Sequence, residues 1–383
     1  MPRFRLILCF YFVITSLIFY SGCNAESKSS SLEPVRVRLF EGELSCNIAS
    51  KERIVIRNFP SGRVFLNSYF EKPLTIKYSS QGFIVGSQLF KADSLLIEPS
   101  GKSALILNGK AYRGTISLHK TDNALTIVNH IEIEDYVKGV IANEMLSSSD
   151  EEALKAQAVV IRSFGLYHVL RYKDRLYSIE ANKIVYKGKD SENSKTNKAV
   201  EDTRGEIVYY NDSLLLTHFC ASCGGYTEYA GNVWEAPFIF PKPVPCPYCR
   251  NSNKYDWSKT LSKTFIQQRL RKYGIQVDEI KTIQPYRKST FGGRITHLII
   301  RYGVRTTIVK INDLRMALGP DTIRSGFLNI DNQSENITFT GKGWGHGVGL
   351  CQNGAVSMAN LGYSYEAILS YYYPGSRLKR IKY

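Results

Sequence analysis

An α+β fold is what this sequence predicts, with a strand-rich N-terminal region leading into a mixed domain built around a few buried helices. Three observations carry that expectation. Short runs between residues 35 and 130 alternate apolar and polar side chains, the period of a half-buried strand. The stretch from Ala153 to Leu170 is apolar nearly all round, as a helix enclosed by its neighbours must be. Strand-like runs return beyond residue 205 with helical stretches between them, and strand blocks around a few helices define this class.

The chain has 383 residues, 43% of them hydrophobic and 12% aromatic, which suffices for a sizeable core and excludes a chain dominated by disorder. A formal charge of +16 points to a polyanionic partner. Nucleic acid is the commonest one, but the N-terminus directs the protein elsewhere. Residues 1–23 place Arg3 and Arg5 before an apolar run from Leu6 to Tyr20, followed by Ser21-Gly22-Cys23. A basic start and a run short for a bilayer span read as a secretion signal. The small residues before Cys23 are similar to a bacterial lipoprotein cleavage site, which would acylate Cys23 and tether the protein to a membrane. Tyr20 departs from the Leu usual there. An uncleaved membrane anchor is the other reading, and it too puts the remainder outside the cytoplasm. An exported basic protein meets cell-wall glycan, teichoic acid or lipopolysaccharide, so nucleic acid is not expected as a partner. Peptidoglycan stripped of its stem peptides carries a lactyl carboxylate on each muramic acid. The charge suits that polyanion without selecting it.

Residues 24–34 form a polar tether. A strand-rich region then spans 35–104, with turns at Pro60-Ser61-Gly62 and Pro99-Ser100-Gly101, and the domain expected to carry function spans 105–383. Tyr136–Met145 reads as a helix with Val137, Val140, Ile141 and Met145 as its apolar stripe. Ser147 to Glu152 supplies cap oxygens and first-turn carboxylates for a second helix from about Asp150 to about Tyr172. Trp257–Tyr273 and Ile311–Leu318 look helical, and a last helix, Tyr365–Tyr373, stops at Pro374-Gly375.

Glu144 stands out chemically. It falls at the C-terminal end of its helix, beside the apolar stripe. The helix dipole and desolvation both disfavour its charged form, as a general acid requires. Toward the other end of the chain runs Gly341-Lys342-Gly343-Trp344-Gly345-His346-Gly347-Val348-Gly349-Leu350-Cys351-Gln352. Alternate glycines let a polymer approach the backbone, while an aromatic, an imidazole and an amide between them suit a sugar. A glycine-rich turn between strands is the plainer reading. Lys155 and Arg162 share one helix face, where an ion pair with Glu151 or another carboxylate is the structural alternative to binding.

Eight cysteines occur, and four of them form Cys220-x2-Cys223 and Cys246-x2-Cys249. That double knuckle is the spacing of a four-thiolate zinc site, stiffened by Pro243, Pro245 and Pro247, with His218 as an alternative ligand. Such a site has no open position, so zinc there would be structural. Disulfides are the rival reading for an exported chain.

Taken together, Ile133-Glu134-Asp135-Tyr136-Val137-x-Gly139-Val140-x-x-x-Glu144-Met145, Ala153-Leu154-Lys155-Ala156-Gln157-Ala158-Val159 with Arg162-Ser163-Phe164, Tyr186-Lys187-Gly188, Cys223-Gly224-Gly225 with Thr227-Glu228, Trp234 and the glycine run occur in one order. In these motifs the chain resembles the stage II sporulation protein D (SpoIID/LytB) family of bacterial cell-wall proteins over about residues 105–383. The resemblance implies a SpoIID-type domain and a peptidoglycan lytic transglycosylase. Glu144 matches the glutamate to which catalysis is ascribed, and Lys155, Gln157, Arg162, Tyr186, Trp344, His346 and Gln352 match recurrent positions assigned to binding substrate or orienting that acid. Arg162 could grip the muramic lactyl carboxylate as a bidentate fork. Some members bind zinc, and some stimulate a cell-wall amidase without cutting glycan, which is the alternative function. Many have His before Cys-Gly-Gly, at the place of Cys220 here.

Overall fold

Two largely antiparallel sheets take up the N-terminal strands, because Val, Ile and Leu recur on their inward faces. The computed structural model describes residues 32–181, 183–234, 240–253 and 255–382. The signal, Cys23 and most of the tether lie outside the described residues. Residues 33–382 form one compact unit.

The larger sheet has seven strands in the order 179–180, 35–43, 124–131, 115–121, 94–99, 54–58 and 64–68. The second has six, in the order 110–112, 105–107, 45–50, 74–79, 82–85 and 88–90. Ile48, Ile54, Ile56, Ile76, Leu95, Ile97, Leu105, Leu107, Ile116 and Leu118 are fully buried in their core. Leu105–Leu107 pairs with Ser45–Ser50, and Thr115–Thr121 pairs with Ser94–Pro99, so both sheets continue across residue 105.

Helix α1 (Ile133–Glu144) begins two residues after the central strand Ala124–Ile131 ends. Its start lies three residues before the expected Tyr136 and its end one residue before Met145. Helix α2 (Glu151–Arg171) is N-capped by the Asp150 carboxylate, which accepts from the Glu152 N–H at 2.9 Å. Its first turns are enclosed as expected, with Leu154, Val159, Val160 and Ile161 all inaccessible, but its end is not, since Leu170 is exposed. Helix α3 (Ser194–Asp202) and the short helix α4 (Ala230–Trp234) follow.

A second core gathers residues 256–342. Strand Asp256–Ser262 pairs with Asn336–Lys342, and Ser262 then caps helix α5 (Lys263–Lys272) by accepting from the Phe265 N–H at 3.2 Å. The expected helix Trp257–Tyr273 is therefore strand as far as Ser262. Its first residues alternate, Trp257 facing inward, and the cross-strand ladder outweighs their weak helix preference. Helix α6 (Ile311–Leu318) is as expected. Ile266, Leu270, Leu298, Ile300, Leu314 and Phe339 fill this core. The glycine run leaves strand Asn336–Lys342 directly and returns to the main core at helix α7 (Gln352–Asn360), which precedes α8 (Tyr365–Tyr372). Among the described residues no helix is long and apolar enough to cross a membrane.

Candidate active groove and thiol cluster

Helix α1 ends at Glu144, and its C-cap, Met145, is extended, so the chain turns away and leaves the carboxylate at the helix end with no basic residue in the last turn. Glu144 lines a groove of about 880 Å³. Phe164, Tyr167, His168 and Arg171 of α2 form one side, and His218, Trp234, Trp344, Gly345 and His346 another. Lys183 and Gln352 complete the rim nearest the acid.

Burial pushes the Glu144 carboxyl above its ordinary value. The Val185 N–H, donating to Oε1 at 3.3 Å, and the Gln352 amide pull in the opposite direction without cancelling it. Gln352 also donates through Nε2 to the Glu144 backbone carbonyl at 3.2 Å, which fixes the end of α1 against the start of α7. Glu144 is the one carboxylate among the described residues lining the groove.

Much of the lining is aromatic, and its imidazoles are neutral. His218 stacks on Trp234 at 4.3 Å between ring centres, and His346 meets Trp234 at 5.0 Å. Burial lowers His218 to about 3 and His168 to about 4, and it drives His346 well below the usual imidazole value. His346 Nδ1 accepts from the Val348 N–H at 3.0 Å, so the ring proton sits on Nε2. His346 thus caps a turn and also lines the groove. Arg171 and Lys183 are the lining cations.

Glycine makes this wall possible at one particular place. Gly343 has φ +77°, and a Cβ there would lie 2.6 Å from both the Gly224 nitrogen and the Ser222 oxygen. Its absence lets the two turns meet backbone to backbone, with Trp344 and Ser222 exchanging N–H···O bonds of 2.8 and 3.0 Å. The turns are held from behind by Arg294, which donates to the Cys223 carbonyl at 2.6 Å, and by the Glu228 N–H, which donates to Gly347 at 2.9 Å.

Of the expected site residues, Glu144, Trp344, His346 and Gln352 come together in the groove, and four do not. Arg162 is completely buried and pairs with Glu134 through Nε and Nη2 at 2.9 and 2.7 Å. Its remaining donors reach the Glu206 and Val200 carbonyls, so no fork is left for a substrate. Tyr186 is buried and donates to Asn129 Oδ1 at 2.6 Å. Gln157 is buried inside α2, and Lys155 bridges Glu151 and Glu152 at 3.1 and 3.0 Å. Arg162, Gln157 and Lys155 serve packing and ion pairing of α2, whereas Tyr186 packs against α1, its ring 5.9 Å from that of Tyr136. Sequence reasoning missed Tyr167, His168, Arg171 and Lys183. With Phe164, the three on α2 follow an i, i+3, i+4, i+7 stripe that was open to inspection.

The cysteine expectation also changes. The sulfurs of Cys223, Cys246, Cys249 and Cys351 all lie within 4.8 Å of one another. Cys220 is not among them, because its side chain turns to the groove wall beside Gly345. His218 stacks in the groove wall and is not part of the cluster either. Cys351, which has no partner at knuckle spacing, takes the fourth place because the parallel pairing of Phe219–Cys220 with Leu350–Cys351 brings it there.

Fold and groove together set the class: an α+β scaffold that opens an aromatic-lined groove beside a carboxyl raised by burial at a helix end. Within that class, the chain belongs to the stage II sporulation protein D family. Residues 121–210 match the family described as Stage II sporulation protein, and residues 248–349 match a domain of unknown function, DUF8618. The chain is 31% identical to the Stage II sporulation protein D of Bacillus subtilis over 302 residues, covering 73% of this chain and 83% of that one. It is 36% identical to an uncharacterized protein of Brachyspira hyodysenteriae over 272 residues, 70% and 72% of the two chains. It is 30% identical to the Amidase enhancer of Bacillus subtilis over 340 residues, 75% of this chain and 47% of that protein.

Proposed function

We propose that this protein is an exported lytic transglycosylase that cuts the β-1,4 bond between N-acetylmuramic acid and N-acetylglucosamine in peptidoglycan glycan strands. The observation that carries the reading is Glu144: its carboxyl is held above the ordinary value in an aromatic-lined groove, without a second lining carboxylate among the described residues. Hydrolysis by two carboxylates needs a partner across the bond. Cleavage without water needs only one. The protonated Glu144 donates its hydrogen to the glycosidic oxygen as the C1–O bond breaks, releasing the N-acetylglucosamine 4-hydroxyl. The resulting carboxylate accepts the proton of the muramic acid 6-hydroxyl while that oxygen bonds to C1. The acid is regenerated, and the product is a 1,6-anhydro sugar.

The aromatic wall supports sugar stacking, and Arg171 and Lys183 supply positive charge for the lactyl carboxylates of strands freed of stem peptides. The site of action is the cell wall outside the cytoplasm, with the N-terminal signal or a lipid at Cys23 as the membrane attachment. Division and sporulation are both settings for such an activity.

The relative named Amidase enhancer supports a second reading, in which the groove binds glycan and positions or stimulates a cell-wall amidase. Mass spectrometry of products from intact and amidase-treated sacculi separates the two. The enzyme reading expects anhydro-muramic termini from the wild type, preferentially on the amidase-treated substrate. Glu144→Gln should lower their yield by about 10²–10⁴-fold while glycan is still bound. Equal yields from both proteins would leave only the binding reading.

A further inference from the structure

We propose that Cys223, Cys246, Cys249 and Cys351 bind one Zn²⁺ ion as a closed four-thiolate site, and that Cys220, despite its place in the double knuckle, is not a ligand. The four sulfurs come from three separate stretches of chain and are all buried. Their spacing has the size of a coordination shell. A Zn–S bond of about 2.3 Å gives a tetrahedral edge of about 3.8 Å, and Cys223 Sγ lies 3.7 Å from Cys249 Sγ. A disulfide needs about 2.05 Å, and the six cysteines among the described residues are all free thiols.

The surroundings are built for sulfur carrying negative charge. Cys351 Sγ accepts from the Cys223 N–H at 3.2 Å and the Gly354 N–H at 3.4 Å, and it caps the N-terminus of α7. The Tyr372 hydroxyl lies 3.1 Å from Cys246 Sγ. Gly354 keeps the cluster tight, since a Cβ there would fall 2.0 Å from Tyr372 Oη and 2.9 Å from Cys246 Sγ. Four thiolates in a dry core would repel one another strongly, and a divalent ion removes that penalty. Soft thiolates in a tetrahedron select Zn²⁺, and four of them leave no position for water.

The ion's part is therefore mechanical. Gln352, the residue after Cys351, holds the Glu144 carbonyl, and the Asn353 N–H donates to Ala221 at 3.0 Å. One ion thus ties the knuckle at 246–249, the turn at 220–223 and the start of α7 behind the groove. No proton of the cleavage passes through it.

Elemental analysis of the full chain purified under reducing conditions tests the proposal independently of any glycan cleavage. Wild type and Cys220→Ser are expected to hold about one zinc per chain, whereas Cys351→Ser should lose it. Should Cys351→Ser fail to fold, wild-type protein refolded with Co²⁺ serves instead. It should show the intense visible bands of a tetrahedral cobalt thiolate, unchanged in Cys220→Ser. Zinc-free wild type, thiols joined as disulfides, or zinc retained by Cys351→Ser and lost by Cys220→Ser would each overturn the assignment.

Discussion

Glu134 and Glu144 occupy opposite ends of helix α1, and their fates differ completely. Glu134 is buried, clamped by the Arg162 guanidinium and by the Gly205 N–H at 3.0 Å. Glu144 is half-buried, faces a groove and has its carboxyl raised by desolvation. Two identical side chains on one helix thus become an ion-paired structural group and a partly desolvated carboxyl that faces a groove. What separates them is whether a guanidinium compensates the loss of water.

The largest expected effect tests the buried half of this contrast. Arg162→Met strands the Glu134 charge in the core and should cost about 3–5 kcal/mol, read as an earlier urea midpoint. Glu144→Gln should leave that midpoint unchanged or move it later. A tolerant Arg162→Met protein would break the contrast.

Next comes the pH dependence of the exposed half. A general acid must carry its proton, so kcat/KM should fall as pH rises through the raised Glu144 value. The Gln352 amide favours the charged form, so Gln352→Ala should shift this alkaline limb to higher pH. A shift to lower pH would contradict the assigned role. Stability follows the same sign. The contribution of Glu144 is fully present below the ordinary carboxyl value and is lost as pH climbs through the raised one, a dependence that Glu144→Gln should flatten.

The buried imidazoles respond oppositely. His119, His130 and His168 are each lowered from 6.5 to about 4, chiefly by burial. Their contribution is present above the unfolded value and is lost as pH falls from 6.5 toward 4. Urea midpoints at neutral and mildly acidic pH should therefore differ less in His168→Gln than in the wild type.

The smallest effect belongs to Lys183, which is exposed and already bridged to Glu180 at 2.9 Å. Lys183→Met should weaken binding of denuded glycan only a few-fold, and added salt should erase the difference. A salt-insensitive loss would assign Lys183 a closer contact.

Much of this was legible beforehand because it is local. The enclosed α2, its Asp150 cap, the helix 311–318 and the position of Glu144 at a helix end all follow from periodicity and capping chemistry within a few residues. Strand Asp256–Ser262 was not legible, because its partner Asn336–Lys342 lies far along the chain. Arg162 is ambiguous in sequence, between a substrate fork and a structural ion pair, for a related reason. Its motif marks it as important, but the carboxylate that consumes its fork is on another helix. Cys220 and Cys351 exchanged places because knuckle spacing is a property of sequence, whereas convergence of sulfurs is a property of packing.

By itself the chain determined most of its elements, its α+β class and the carboxyl at the end of α1, since side-chain period and helix polarity are written within single turns. Only the tertiary structure decided which polar groups face the groove and which four thiols meet. Those outcomes depend on distant segments competing for the same guanidinium, carbonyl or sulfur, and that competition is resolved only when the core closes.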